Sequence, residues 1–196
     1  MSGELQLDVD QAGELKAAFR RSGWTNAQIK ALSEGDLLAR VRDVILGIAE
    51  IKPIEHLIDF DVKPSIPNGW TILPAEDQIP SRARGKVKFD PTKVKLHLDR
   101  NQETGAIEGN NLRKKLENAP VYGAQLLDFY LANPHLIPEE WKGKYVFFWG
   151  TIYRDSDGSL YVRCLCWNGV RWHWDCDWLD SDFDDDDPAA LSASIS

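Results

Sequence analysis

KYVFFWGTIYRDSDGSLYVRCLCWNGVRWHWDCDW, residues 144–178, decides the fold: it reads as three consecutive antiparallel strands and holds five of the chain's eight tryptophans. Ser156-Asp157-Gly158 has the composition of a three-residue hairpin loop ending in a left-handed glycine, which pairs Asp155 with Ser159. Asn168-Gly169 is a strong two-residue hairpin signal and sets Trp167 opposite Val170. Counting from these turns places Phe147 opposite Trp167, Trp149 opposite Leu165, Tyr153 opposite Tyr161, Leu165 opposite Trp172, and Arg163 opposite Trp174. Because strand side chains alternate, one face then collects Phe147, Trp149, Tyr153, Tyr161, Leu165, Trp167, Trp172, Trp174 and Trp178. The other collects Val146, Phe148, Ile152, Leu160, Val162, Cys164 and Cys166, then turns polar with His173, Asp175 and Asp177. Both faces of the first two strands are apolar, so helices elsewhere in the chain or a partner must cover them.

The rest of the chain reads as follows. Residues 1–52 are helical: Asp8 or Asp10 caps a first helix ended by Gly23, and Thr25 with Gln28 makes a capping box for a second. A third starts at Ser33 or Asp36, carries the stripe Leu37, Leu38, Val41, Val44, Ile45 and Ile48, and ends at Pro53. Short strands follow at 56–61, 70–73, around Val87 and Phe89, and at 94–98, with a polar, mobile loop from Pro74 to Gly85. Asn110 or Asn111 caps a helix through Leu116, Pro120 opens the next, and residues 138–143 form one further turn. The expected class is therefore α+β: a helical cap (1–52), a sheet domain (53–180) whose antiparallel sheet includes the tryptophan-rich meander and is covered by helices, and an acidic, disordered tail (181–196).

The chain has 196 residues and a net charge of −8, and the imbalance is local. Eight aspartates follow the last basic residue, Arg171, while upstream the charges cancel. No apolar run approaches a membrane span and no leader pattern opens the chain, so a cytoplasmic protein is expected, with no membrane partner. Three cysteines fit reduced, buried thiols.

Several residue sets carry possible chemistry. Trp149, Trp167, Trp172, Trp174 and Tyr161 are candidates for a protein-binding surface, since tryptophan and tyrosine are common energetic anchors. Arg82, Arg84, Lys86, Lys88, Lys93 and Lys95 form a basic run suited to phosphates, and the aspartate tail suits mimicry of a nucleic acid. The register groups Cys164, Cys166 and His173 as three metal-ligand types, one short of a closed zinc site. Cys164 with His173 and Asp175 suits thiol chemistry, and Glu55, His56, Asp59 and Asp61 suit a divalent metal in hydrolysis. No phosphate-cradling glycine loop, HExxH helix or nucleophile elbow is present, so no cofactor and no catalytic residue is assigned.

IEGNNLRKKL, LLDFYLANPHLIPEEWKGKYVFFWGTIYRDSDG, the tryptophan-rich strand and a closing Pro-Ala-Ala resemble a recurrent family of small, hypothetical bacterial proteins. RSGWTNAQIKALSEGD, RVRDVILGIAEIKP and NGWTI extend the resemblance over nearly the whole chain. It implies no known activity, ligand or catalytic residue, and Asp182–Asp187 is a variable part of its pattern. The expectation is a non-enzymatic binding or regulatory module, with nucleic-acid binding or mimicry, and then a metal or thiol hydrolase, as alternatives.

Overall fold

The computed structural model describes residues 8–52 and 54–193. The chain divides into two compact units between Ile54 and Glu55, and its class is α+β.

The first unit holds α1 (Val9–Arg21), α2 (Asn26–Leu32) and α3 (Leu37–Ile45). Two reciprocal capping boxes open it: the Gln11 amide donates to Asp8 Oδ1 (2.7 Å) and the Thr25 amide to Gln28 Oε1 (2.8 Å), each with its return bond. α3 stops well before Pro53, which lies outside the described residues. Gly47, at φ 72°, takes the left-handed position, its amide donating to Val44 O while the Ile48 amide reaches back to Asp43 O. This is a Schellman ending, so the apolar stripe extended past the helix that carries its first part.

The second unit contains β1 (Leu57–Asp59), β2 (Thr71–Ile72), β3 (Lys86–Lys88), β4 (Val94–His97), α4 (Arg100–Thr104), β5 (Ile107–Glu108), α5 (Gly109–Lys115), α6 (Ala124–Ala132), β6 (Val146–Arg154), β7 (Leu160–Trp167), β8 (Trp172–Trp178), β9 (Asp182–Phe183) and β10 (Ala189–Ser192). The main sheet has the order β4-β10-β6-β7-β8, with β2 also paired to β6. β1 pairs with β3, and β5 with β9. β10 runs antiparallel to β4 and parallel to β6. The expected disordered tail (181–196) is therefore corrected over its described residues, 181–193: β10 lies inside the sheet, with Ala189 and Ala190 almost wholly buried; 194–196 lie outside the described residues. Small side chains are what a strand there accommodates, and alanine has little of the β-branched signal by which a strand is recognised.

The first hairpin follows the expected register, with Tyr153 opposite Tyr161 and the Asp155 amide donating to Ser159 O. Beyond Ile152 the count fails. Between the pairs Ile152–Val162 and Phe147–Cys164, four residues of β6 face Arg163 alone. Three extra residues is an odd number, so the bulge exchanges the faces of the preceding half-strand. Phe147 and Trp149 leave the aromatic face and pack with Ile152, Val162, Cys164, Phe183 and Leu112. Val146 and Phe148 replace them beside Tyr153, Leu165 and the α6 residues Leu126, Leu127 and Tyr130.

The bulge has a non-local cause. Gly150 donates its amide to Tyr122 O (2.9 Å), and a Cβ built on Gly150 would stand 2.8 Å from Gly123 N. Thr151 Oγ1 accepts the Ala124 amide at the start of α6. Pro120 accordingly does not open a helix: residues 120–122 are extended, hydrogen bonded to Ala190 and Ser192, and α6 begins only after Gly123.

The 74–85 loop, expected to be mobile, is anchored by the buried Gln78. Its Nε2 donates to Leu73 O and Ile152 O, and its Oε1 accepts the Ile152 amide at 2.8 Å, so a side-chain amide serves as a strand neighbour. Gln102, also buried, does the same for the acidic segment, donating to the Asp184 and Asp187 carbonyls at 3.0 Å each.

Candidate functional site

The second hairpin closes through a four-residue loop instead of the expected two. Asn168 Oδ1 accepts the Val170 and Arg171 amides, the Asn168 amide donates to Arg171 O, and Trp167 pairs with Trp172. Every β8 partner moves by two residues, which keeps the faces and changes the neighbours. Leu165 faces Trp174, Arg163 faces Cys176, and Tyr161 faces Trp178.

β8 is the outermost strand, and its aromatic side is only partly covered. Trp174 is 41% exposed and Trp178 43%, with Trp172, Trp167 and Tyr161 half-buried beside them. Trp149, expected on this surface, is instead fully buried in the opposite core, because the bulge reversed its face. The exposed rings are seated on fixed neighbours. Trp70 stacks against Tyr161 with centroids 4.5 Å apart, Trp167 meets Trp172 at 5.4 Å, and Lys142 Nζ lies 4.3 Å from the Trp167 ring. Trp174 rests on the guanidinium of Arg163, 4.6 Å away.

Arg163 is itself 2% exposed. Its Nη1 donates to Asp128 Oδ1 (3.2 Å), Ser65 O (3.0 Å) and the Tyr153 hydroxyl (3.3 Å), a part-buried ion pair that ties α6 and the 60–66 loop to β7. Burial pushes the Tyr153 phenol up to about 12, against the opposing pull of Arg163. Tyr161 is also raised, first by desolvation and then by Asp155, so the ring at this end of the face has carboxylates near it.

The strand edge is blunted. The Leu179 amide donates inward to Leu160 O, so the amides of even-numbered β8 residues point away from β7. Two of these are already taken, Cys176 by Asp175 Oδ1 (2.9 Å) and Trp178 by Asp177 Oδ1 (2.7 Å). Strand addition is disfavoured there, and the aromatic face is the available contact.

The opposite face of β7–β8 gathers the thiols and the imidazole differently from the expected arrangement. Cys166, and not Cys164, stands across from His173, with Sγ 3.3 Å from Nε2. Cys164 faces Asp175 and is 1% exposed. Its thiol is held far above the ordinary value by its hydrogen bond to Cys166 and by burial, while the same bond lowers Cys166. The expected pairing of Cys164 with His173 is thereby corrected: the shorter register that the expected two-residue turn gave would have aligned them, and the longer loop puts Cys166 there instead. Asp175 spends Oδ1 on the Cys176 amide, and no hydrogen bond joins it to His173. Cys176 lies on the other face, raised to about 11 chiefly by burial.

The basic run is divided between elements. Lys86 and Lys88 lie on β3, paired to Asp59 (3.6 Å) and Glu55 (2.5 Å), while Lys95 lies on the edge strand β4 and Lys93 closes the helical turn just before it. Arg82 and Arg84 line a cleft of about 260 Å³ with Gln125 and Thr151, where Arg82 donates to the Ala75 and Ile79 carbonyls. The same pairs engage the Glu55–Asp61 cluster: Asp61 accepts the Gly85 amide, and His56 packs edge-on to Phe129 at 5.4 Å. These carboxylates hold β1 to β3 and form no metal-ligand group among the described residues. In the acidic segment Asp184 and Asp187 cap their own turn, accepting the Asp186 and Asp184 amides. No helix among the described residues is long and apolar enough to cross a membrane. No protein-family model, no curated protein and no solved structure matches the chain.

Proposed function

We propose that the chain is a non-enzymatic, cytoplasmic binding module that docks a partner protein on the aromatic face of β7–β8. The observation that carries this reading is the pair Trp174 and Trp178, each about two-fifths exposed on one side of the outermost strand. Two large rings left open beside half-buried aromatic neighbours form the kind of patch that partner surfaces cover. Their seating supports it further: Trp174 on Arg163 and Tyr161 on Trp70 are already ordered, so little side-chain freedom is lost on binding.

The test is the double variant Trp174→Ala/Trp178→Ala in the full chain. Its melt should stay within about 1–2 kcal/mol of wild type, since both rings are substantially solvated already. Wild-type protein should capture a stoichiometric protein from a native lysate and keep it at high salt, and the double variant should not. Retention of the same protein by the double variant, or capture of nucleic acid alone that is released by salt, would overturn the proposal.

A further inference from the structure

We propose that Cys166, His173 and Asp175 form a binding site for one zinc-class divalent cation on the face of β7–β8 opposite the exposed tryptophans. The three side chains come from two adjacent strands in fixed register: Cys166 directly across from His173, and Asp175 two residues further along the same side of β8. Their thiol, imidazole and carboxylate atoms all lie within 4.8 Å of one another. Tetrahedral zinc with a sulfur ligand at about 2.3 Å and a nitrogen ligand at about 2.0 Å separates those two atoms by roughly 3.5 Å. Cys166 Sγ and His173 Nε2 stand at 3.3 Å, so side-chain rotation of a few tenths of an ångström opens the metal position between them.

The donor set is the one zinc prefers over magnesium or calcium, with a thiolate and an imidazole joined by a single carboxylate. Burial is graded across it, from the buried Cys166 through the half-buried His173 to the exposed Asp175, so the site opens toward solvent at its carboxylate side. Three protein ligands leave the fourth position for water or a donor from elsewhere. Cys164, two residues along β7, faces Asp175 across the strands and is 1% exposed. A bound ion would fasten the edge strand to β7 independently of any partner on the other face.

The experiment uses the full chain, reduced and stripped of metal, titrated with Co²⁺ and then Zn²⁺. One equivalent of Co²⁺ should give a thiolate-to-cobalt charge-transfer absorption with tetrahedral visible bands, both displaced by one equivalent of Zn²⁺. Cys166→Ser should abolish the charge transfer, and His173→Gln, at a half-exposed position that the fold tolerates, should abolish stoichiometric binding. Cys176→Ser and Cys164→Ser should leave both. Absence of the band in excess Co²⁺, its survival in His173→Gln, or its loss in Cys164→Ser with retention in Cys166→Ser would overturn the assignment.

Discussion

The tryptophan-rich strand β8 and the strand β10 that follows the acidic run exchange the places their compositions suggest. β8 carries three tryptophans and lies at the rim of the sheet, with two of them open to solvent. β10 is Ala-Ala-Leu-Ser, preceded by a run of aspartates, and lies between β4 and β6 with its alanines buried. Hydrophobicity marks what a side chain contributes when covered, whereas position in a sheet depends on how closely neighbouring backbones and layers must approach. Large rings serve a rim, where there is space; alanine serves the crowded middle.

The strongest way to break this contrast is Ala190→Asp, which puts a charge where the residue is wholly covered. A cost of about 4 kcal/mol or more is expected, seen as loss of the cooperative melt. Gly150→Ala comes next, because its Cβ would meet the backbone of Gly123 and Tyr122 within 3.0 Å. Chemical denaturation should show a loss of about 2–4 kcal/mol, against almost none for Gly13→Ala, where the space is open. Gln102→Leu strips the Asp184 and Asp187 carbonyls of their donor and should cost about 1–3 kcal/mol, with faster amide exchange in residues 182–190.

A smaller, pH-dependent effect is expected at Asp187, whose carboxyl burial raises to about 6. An unfolded aspartate titrates near 3.9. Between about pH 4 and 6 the folded chain therefore keeps a proton that the unfolded chain has released, so this group's contribution to stability falls as pH rises through that window. Asp187→Asn should flatten the slope of stability against pH there and raise stability at pH 7 by about 1–2 kcal/mol, a figure discounted for partial exposure. Smallest of all, Trp174→Ala should shift stability by about 1 kcal/mol or less while quenching or moving the tryptophan emission.

What was legible in the sequence was what local chemistry decides. The Asp155–Ser159 turn, the cap at Asp8 (one of the two aspartates offered for it) and the capping box at Thr25 stand where turn and cap residues put them. Harder to read were the features set by distant partners. The face reversal of Phe147 and Trp149 follows from Gly123 pressing on Gly150, two glycines 27 positions apart in the chain whose closeness no periodicity announces. Nor does it announce that Gln78 and Gln102, polar residues in loop-like stretches, are buried as stand-ins for missing strands. In the candidate sites, the side of β8 on which each tryptophan and histidine falls was readable from alternation alone. Which cysteine meets His173 was not, because Asn168 closes its loop with a side-chain oxygen and lengthens it by two residues.

The place of β10 also bears on the route by which the sheet assembles. β4 and β6 share no pairing of their own in the sheet order; β10 joins them, and its partners in β4 lie on the order of a hundred residues upstream. Closing so large a loop gains contacts only once it is complete, which makes this pairing intrinsically slow. Until it forms, the meander of β6, β7 and β8 can be in place while the β6 and β4 edges that flank β10 stand bare. Any state with β10 undocked would thus be open in the middle of the sheet, while the blunted rim at Asp175 and Asp177 protects the side that stays open after folding.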